Sequence, residues 1–166
     1  MDAITVREAT LADYPALRRL FDEIQQEHSE ALPHIFQMPD GPVRPRRYIA
    51  ALLDDPDIAL FVAERRGRVI GVIDVRMQYS PDNPILVPRR FAMVDTLVVR
   101  KHSRRHGAGR ALMARAHEWA RERGVDEVVL TVWEFNAGAV AFYEALGYTT
   151  AYRRMAIWVG EKAVRE

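Results

Sequence analysis

The chain of 166 residues has no cysteine. That excludes disulfides, thiolate metal sites and a cysteine nucleophile. Long apolar runs are missing as well. Nothing approaches the ~20 residues needed to cross a bilayer, and the first residues lack the apolar core of a signal peptide, so a cytoplasmic protein with no membrane partner is expected. An excess of one charge is also absent: Lys and Arg number 24 against 23 Asp and Glu, for a formal net charge of +1. Such a balance gives no overall drive toward nucleic acid or anionic lipid. The arginine clusters at 44–47, 65–68, 89–90 and 153–154 therefore read as solvated surface. No repeat or low-complexity segment stands out. What is present is an ordinary globular composition, 49% hydrophobic and 28% charged, with enough length for one domain around a real core.

Ile4 to Glu8 alternates as a short half-buried strand does. Thr10 or Asp13 caps a helix expected to reach Gln26, burying Leu17, Leu20, Phe21 and Ile24. His28 to Pro45 reads as an irregular connection of the length that binding loops have. Arg46 to Leu53 is a shorter helix stopped near Pro56. Ile58–Glu64 and Val69–Met77 are β-branched runs joined by the hairpin signal Arg65-Arg66-Gly67-Arg68. Gly71 inside the second run suggests a bulge or a close backbone contact. After a proline-rich loop, Tyr79 to Pro88, a strand is predicted over Arg89 to Arg100. Val125 to Glu134 reads as another strand, and Asn136 caps a helix over Ala137 to Leu146 that stops at Gly147. One or two last strands are predicted within Tyr148 to Val159. The order β-α-α-β-β-β-α-β-α-β implies a mixed α/β sheet, with Val94 to Leu130 forming a crossover between parallel neighbours.

The chemistry concentrates in Leu97 to Gly124. An apolar run, Val94 to Val99, leads through Arg104, Arg105, His106, Gly107, Ala108, Gly109 and Arg110 into a helical pattern carried by Leu112, Ala116, Trp119 and Ala120. Strand, glycine loop and helix in that order make an anion site: the first turn has unpaired N–H groups, the helix dipole adds positive charge, and the glycines admit a ligand close to the backbone. Arg104, Arg105 and Arg110 carry side chains suited to phosphate. A Walker loop is absent, and a Rossmann fingerprint starting at Gly107 fails because Leu112 stands where a small residue is required. His102 and His106 straddle this loop without an acidic third ligand, so no metal site is expected.

Arg104-x-x-Gly107-x-Gly109 resembles the pyrophosphate loop of the GCN5-related N-acetyltransferases (GNAT). Asn136 followed by Phe142-Tyr143-Glu144-Ala145-Leu146-Gly147-Tyr148 resembles that family's C-terminal motif, in the correct order and spacing. The resemblance runs from Phe61 through Gly71 to Tyr148. It implies a single domain over residues 1–166 with a mixed, mostly antiparallel, twisted sheet, flanking helices and strands splayed at a cofactor cleft. It further implies acetyl-CoA as cofactor, coenzyme A as product, and a small-molecule amine or peptide as acceptor. Dimerisation through the last strands is an option the resemblance leaves open.

Carried over residue by residue, the resemblance assigns the pantetheine arm to the backbone of Leu97, Val98 and Val99, the diphosphate to Arg104 through Arg110, and a hydrogen bond to the arm to Asn136. Tyr143 is the implied general acid. A phenol of pKa ~10 donates to a thiolate whose conjugate acid lies near ~8.5 when it is well placed. Asp95 is the first candidate base, with Glu134 its competitor and Glu64 a third. Direct attack on the thioester through a tetrahedral intermediate suits a chain without cysteine. A non-catalytic acyl-CoA sensor and, more remotely, a nucleotide-binding regulatory domain stay open as alternatives. Acceptor specificity is expected in the loops around 26–45 and 79–90.

Overall fold

A computed structural model describes residues 3–160. The strands are β1 Thr5–Glu8, β2 Ile58–Arg65, β3 Arg68–Tyr79, β4 Arg90–Val99 and β5 Val128–Leu130. The helices are α1 Tyr14–Ala31, α2 Arg46–Asp54, α3 Ala108–Glu122 and α4 Ala137–Glu144. One sheet in the order β1-β2-β3-β4-β5 holds all five strands; every pairing is antiparallel except β4–β5, which is parallel. The chain divides after Thr131 into two compact units. The first contains the whole sheet with α1, α2 and α3. The second contains α4.

Alternation along the strands sorts the sheet's side chains onto two faces. Leu60 and Val62 of β2, Val72 of β3 and Val98 of β4 form one buried cluster with Leu17, Leu20 and Phe21 of α1 and Ile49 and Leu52 of α2. The other face is covered by α3, which packs against β2, β3 and β4 and buries Leu112, Met113, Ala116, Trp119 and Ala120. Phe61, Ile73 and Val75, at the intervening positions, are fully buried. Among the described residues no helix is long and apolar enough to cross a membrane.

The β2–β3 connection is a two-residue turn with positive φ at both centres, 54° at Arg66 and 68° at Gly67. This is the conformation whose twist matches a hairpin. Besides shifts of one or two residues at the ends of elements such as β3, β4 and α4, the structure departs from the sequence reading in three places. First, α1 runs on to Ala31, so the irregular connection begins only at Leu32. Second, the strand expected over Val125 to Glu134 shrinks to Val128–Leu130. Val125 N–H closes the end of α3 on Ala120 O, and Asn136 N–H turns back to Trp133 O, which removes both ends from the ladder. Third, Tyr148 to Val159 forms no strand among the described residues. Arg153-Arg154 and Ile157-Trp158-Val159 break the alternation that a one-faced strand needs, and no backbone among the described residues pairs with them.

Gly71 is a close contact. A Cβ there would lie 3.0 Å from Val98 O and 3.2 Å from Leu112 Cδ1, so β3 approaches both β4 and α3 where only hydrogen fits. Gly71→Ala is expected to destabilise the fold by about 1–3 kcal/mol through overpacking, read as a lower urea midpoint at unchanged m-value.

Candidate functional site

The site begins with a break in β4. Asp74 pairs with Thr96 while Val75 pairs with Val94, leaving Asp95 as an extra residue, a β-bulge. Pairing with β5 stops at the same place, its last partners being Val94 and Leu130. Beyond it, Asp95 to Val99 pairs only with β3 among the described residues. Arg100 N–H donates to Ile70 O at 2.8 Å, so by alternation the peptide groups of Val98 also face β3. Those of Leu97 and Val99 face the open edge. The Leu97 and Val99 side chains are half-buried.

The loop after β4 makes one 3₁₀ turn, Lys101–Ser103, and enters α3 through two left-handed residues, Arg105 at φ 65° and Gly107 at φ 90°. The helical ladder starts with Ala111 N–H on Gly107 O at 3.0 Å. Among the described residues no acceptor meets the N–H groups of Arg105, His106, Gly107, Ala108, Gly109 or Arg110. Six amides at the positive end of a 15-residue helix suit an anion. The exposed Arg105 and Arg110 flank them, and His106 Nδ1 sits 2.7 Å from Arg104 O. Arg104 turns inward: its Nε donates to Val99 O at 2.9 Å and its Nη2 to Glu27 at 2.6 Å. Its guanidinium thus pins the loop to the strand end and to α1.

On the α1/α2 face, beside the bulge, lies a cluster the sequence reading did not find. Asp74 is fully buried. Arg76 grips it with a fork, Nε to Oδ1 at 3.0 Å and Nη2 to Oδ2 at 2.7 Å, and Arg44 Nη1 adds a third bond at 3.1 Å. Asp95 Oδ2 accepts from the other Nη of Arg44, Nη2, at 3.2 Å, and from the same Arg76 Nη2 that holds Asp74, at 3.3 Å. Arg44 also donates to Thr96 Oγ1 at 2.8 Å and stacks 4.0 Å over the Phe21 ring. The bond to Asp74 holds the Arg76 guanidinium above its ordinary pKa, against the opposing effect of burial. The available signal was an aspartate inside the β-branched run Val72-Ile73-Asp74-Val75. Arg44, read as solvated surface, is a half-buried partner of that charge.

Of the three candidate bases, Asp95 alone sits at this bulge, with 42% of its side chain exposed. Glu64 is bound to Arg7 at 2.6 Å in a triad with Asp13, a structural role. Glu134 is exposed and belongs to the second unit, in the turn before α4. There, Asn136 Oδ1 caps α4 by accepting Ala139 N–H at 3.1 Å. Leucine and glycine close the helix: Tyr148 N–H bonds Tyr143 O and Gly147 N–H bonds Glu144 O, a Schellman end with Gly147 at φ 92°. Tyr143 is half-buried, its ring edge-on to Phe142 at 5.2 Å and to Tyr148 at 5.8 Å. Burial pushes its phenol up to about 12.

A family model described as the acetyltransferase (GNAT) family matches residues 20–148. Rat N-acetyltransferase family 8 member 3 is 32% identical over 104 residues, 63% of this chain and 42% of that protein. The chain therefore spans less than half the length of that relative. The Bacillus subtilis protein named uncharacterized N-acetyltransferase YhfO is 24% identical over 145 residues, 87% of this chain and 89% of that one. Among solved structures, a tetramutant of the BH1408 protein from Bacillus halodurans has a TM-score of 0.88 at 23% identity, covering 93% of this chain and 99% of that chain. The aminoglycoside N-acetyltransferase AAC(6′)-Iy in complex with CoA has a TM-score of 0.70 at 17% identity, covering 95% of each chain. At such identity the structural likeness establishes the fold.

The raised phenols make one prediction. In a spectrophotometric titration at ~295 nm, Tyr143 and Tyr148, the latter also held up to about 12, should stay protonated while ordinary tyrosines ionise near ~10. The difference spectrum between wild type and Tyr143→Phe should show no ionisation of this phenol below pH ~11.

Proposed function

The chain belongs to the acetyltransferase (GNAT) family, and from that premise we propose that it transfers an acetyl group from acetyl-CoA directly to the amine of a small molecule or peptide. One family model spans the division after Thr131, which supports reading residues 1–166 as a single acetyltransferase domain. The observation that carries the acyl-CoA assignment is the row of amides from Arg105 to Arg110, without acceptors among the described residues and set directly after the open edge of β4. A diphosphate would be held by those N–H groups with Arg105 and Arg110. A pantetheine amide would be held by the outward peptide groups of Leu97 and by Val99 N–H, since Val99 O already accepts from Arg104. Bound there, the thioester supplies an acyl carbon with a good leaving group.

The protein's own part is orientation and proton movement. Asp95 is the proposed acceptor for the attacking amine's proton, and Tyr143 the proposed donor to the departing sulfur. Its phenol is fully protonated at neutral pH, as a donor must be. Asn136 keeps its side-chain NH2 for the arm while its oxygen caps α4.

An acetyl-CoA consumption screen over amines and peptides tests the reading. Turnover with at least one acceptor is expected. Tyr143→Phe should lower kcat by about 10²–10³-fold and leave the acetyl-CoA Kd within about twofold. Tight acetyl-CoA binding with no turnover on any amine would instead identify an acyl-CoA sensor.

A further inference from the structure

We propose that Asp74, Arg44 and Arg76 are positioning residues that hold Asp95 with Oδ2 clamped and Oδ1 presented to the acceptor amine. The inference rests on the reading of Asp95 as the proton acceptor and adds the device that aims it. Asp95 is the extra residue of a bulge, so the β3–β4 ladder does not fix its orientation. Its position comes instead from two cationic donors converging on one oxygen at 3.2 and 3.3 Å, with Thr96 Oγ1 behind them at 3.5 Å. Among the described residues Oδ1 accepts nothing, and the side chain is 42% exposed. It is the open end of an otherwise closed network.

The clamp is itself anchored. Arg44 and Arg76 are only 16% and 21% exposed, and three bonds to the buried Asp74 carboxylate fix their planes. Without Asp74 the two guanidiniums would have the single exposed carboxylate as their anionic partner and would draw both its oxygens inward. With Asp74, Arg44 Nη1 and the Nε/Nη2 edge of Arg76 are occupied, so Asp95 Oδ2 receives only Arg44 Nη2 and a shared bond from Arg76 Nη2. Phe21 under Arg44, and Tyr48 OH at 3.4 Å from Arg76 Nη2, complete the fixed side. Within the first unit the charged and titratable groups facing Asp95 are Arg44 from the loop before α2 and Arg76 from β3. Asp74 lies behind both, and Tyr48 of α2 beyond Arg76. An oxygen aimed in this way takes a hydrogen bond from a primary or secondary amine, so the acceptor class is an N–H donor rather than a tertiary amine or a carboxylate-first ligand.

The test compares pH profiles of kcat/KM for the full chain, using acetyl-CoA and the turned-over amine of lowest pKa. Asp95→Asn should abolish the acid limb and most of the rate. Arg76→Gln removes one positive charge from Asp95 and should move that limb to higher pH. Asp74→Asn removes a negative charge and should move it to lower pH. Both should lower kcat about tenfold or more, part of the ~10²–10⁴-fold that a well-placed base contributes, with the KM for acetyl-CoA unchanged. Arg76→Lys keeps the charge without the fork and should restore the limb but not the rate. Should Asp74→Asn fail to fold, the Arg76→Gln and Arg76→Lys pair decides alone. An acid limb that stays in place in these variants while Asp95→Asn has lost it overturns the positioning role and leaves the base reading standing. Wild-type turnover by Asp95→Asn overturns the base reading, and the positioning role with it.

Discussion

One extra residue in β4 governs the geometry of the first unit. Up to Val94, β4 is an interior strand, bonded on one side to β3 and on the other to β5. At Asp95 the bulge reverses which peptide groups face which neighbour. Ala92 N–H points to β5, on Glu127 O, whereas Arg100 N–H points to β3, on Ile70 O. The same strand is thereby interior along its first half and an edge along its second. Exposed strand edges are usually blunted, because they recruit other chains. Here the edge is short and ends in a loop of open amides, which is the form a site for an extended, phosphate-ended molecule would take.

The bulge also explains the buried charge. Beside it the α1/α2 face is no longer apolar: Val72 and Val98 give way to Asp74, Arg76 and Thr96. Isolated, the Asp74 carboxylate would be strongly destabilising in this place. Held by three nitrogen–oxygen bonds from Arg44 and Arg76, which also bond Asp95, it becomes part of a neutral set of two cations and two anions. Leaving the fully buried Asp74 without its arginines would cost about 3–5 kcal/mol, so this contact also fastens the loop that carries Arg44 to the sheet. Arg104 does the same for the phosphate-type loop, through Glu27 of α1.

Much of the fold was legible because it follows from local rules. The 3.6-residue spacing of Leu112, Ala116, Trp119 and Ala120, the Arg66-Gly67 turn, and the glycines at 124 and 147 each act within a few residues. The amide loop was legible for the same reason: two glycines at the start of a helix. What failed depended on distance in the chain. Val128–Leu130 could not be bounded without knowing that Val125 is taken by the end of α3 and Trp133 by a turn. Arg44 could not be told from the surface arginines beside it, since its partners Asp74 and Asp95 lie 30 and 51 residues away. The strands predicted within Tyr148 to Val159 are interrupted at Arg153-Arg154, and among the described residues none forms there. Arg104 has the residue type a phosphate loop needs, yet a carbonyl and a carboxylate within the protein hold it.

The four-charge set has a consequence for how this chain can vary. Because Arg44, Asp74, Arg76 and Asp95 cancel one another in a half-buried place, a change at any one leaves an uncompensated charge, while a matched change at two leaves none. Substitutions at these positions should accordingly be inherited in compensating pairs across related genes, Asp74 with one of its arginines above all, and a descendant that has lost the pair should carry an apolar side chain in its place.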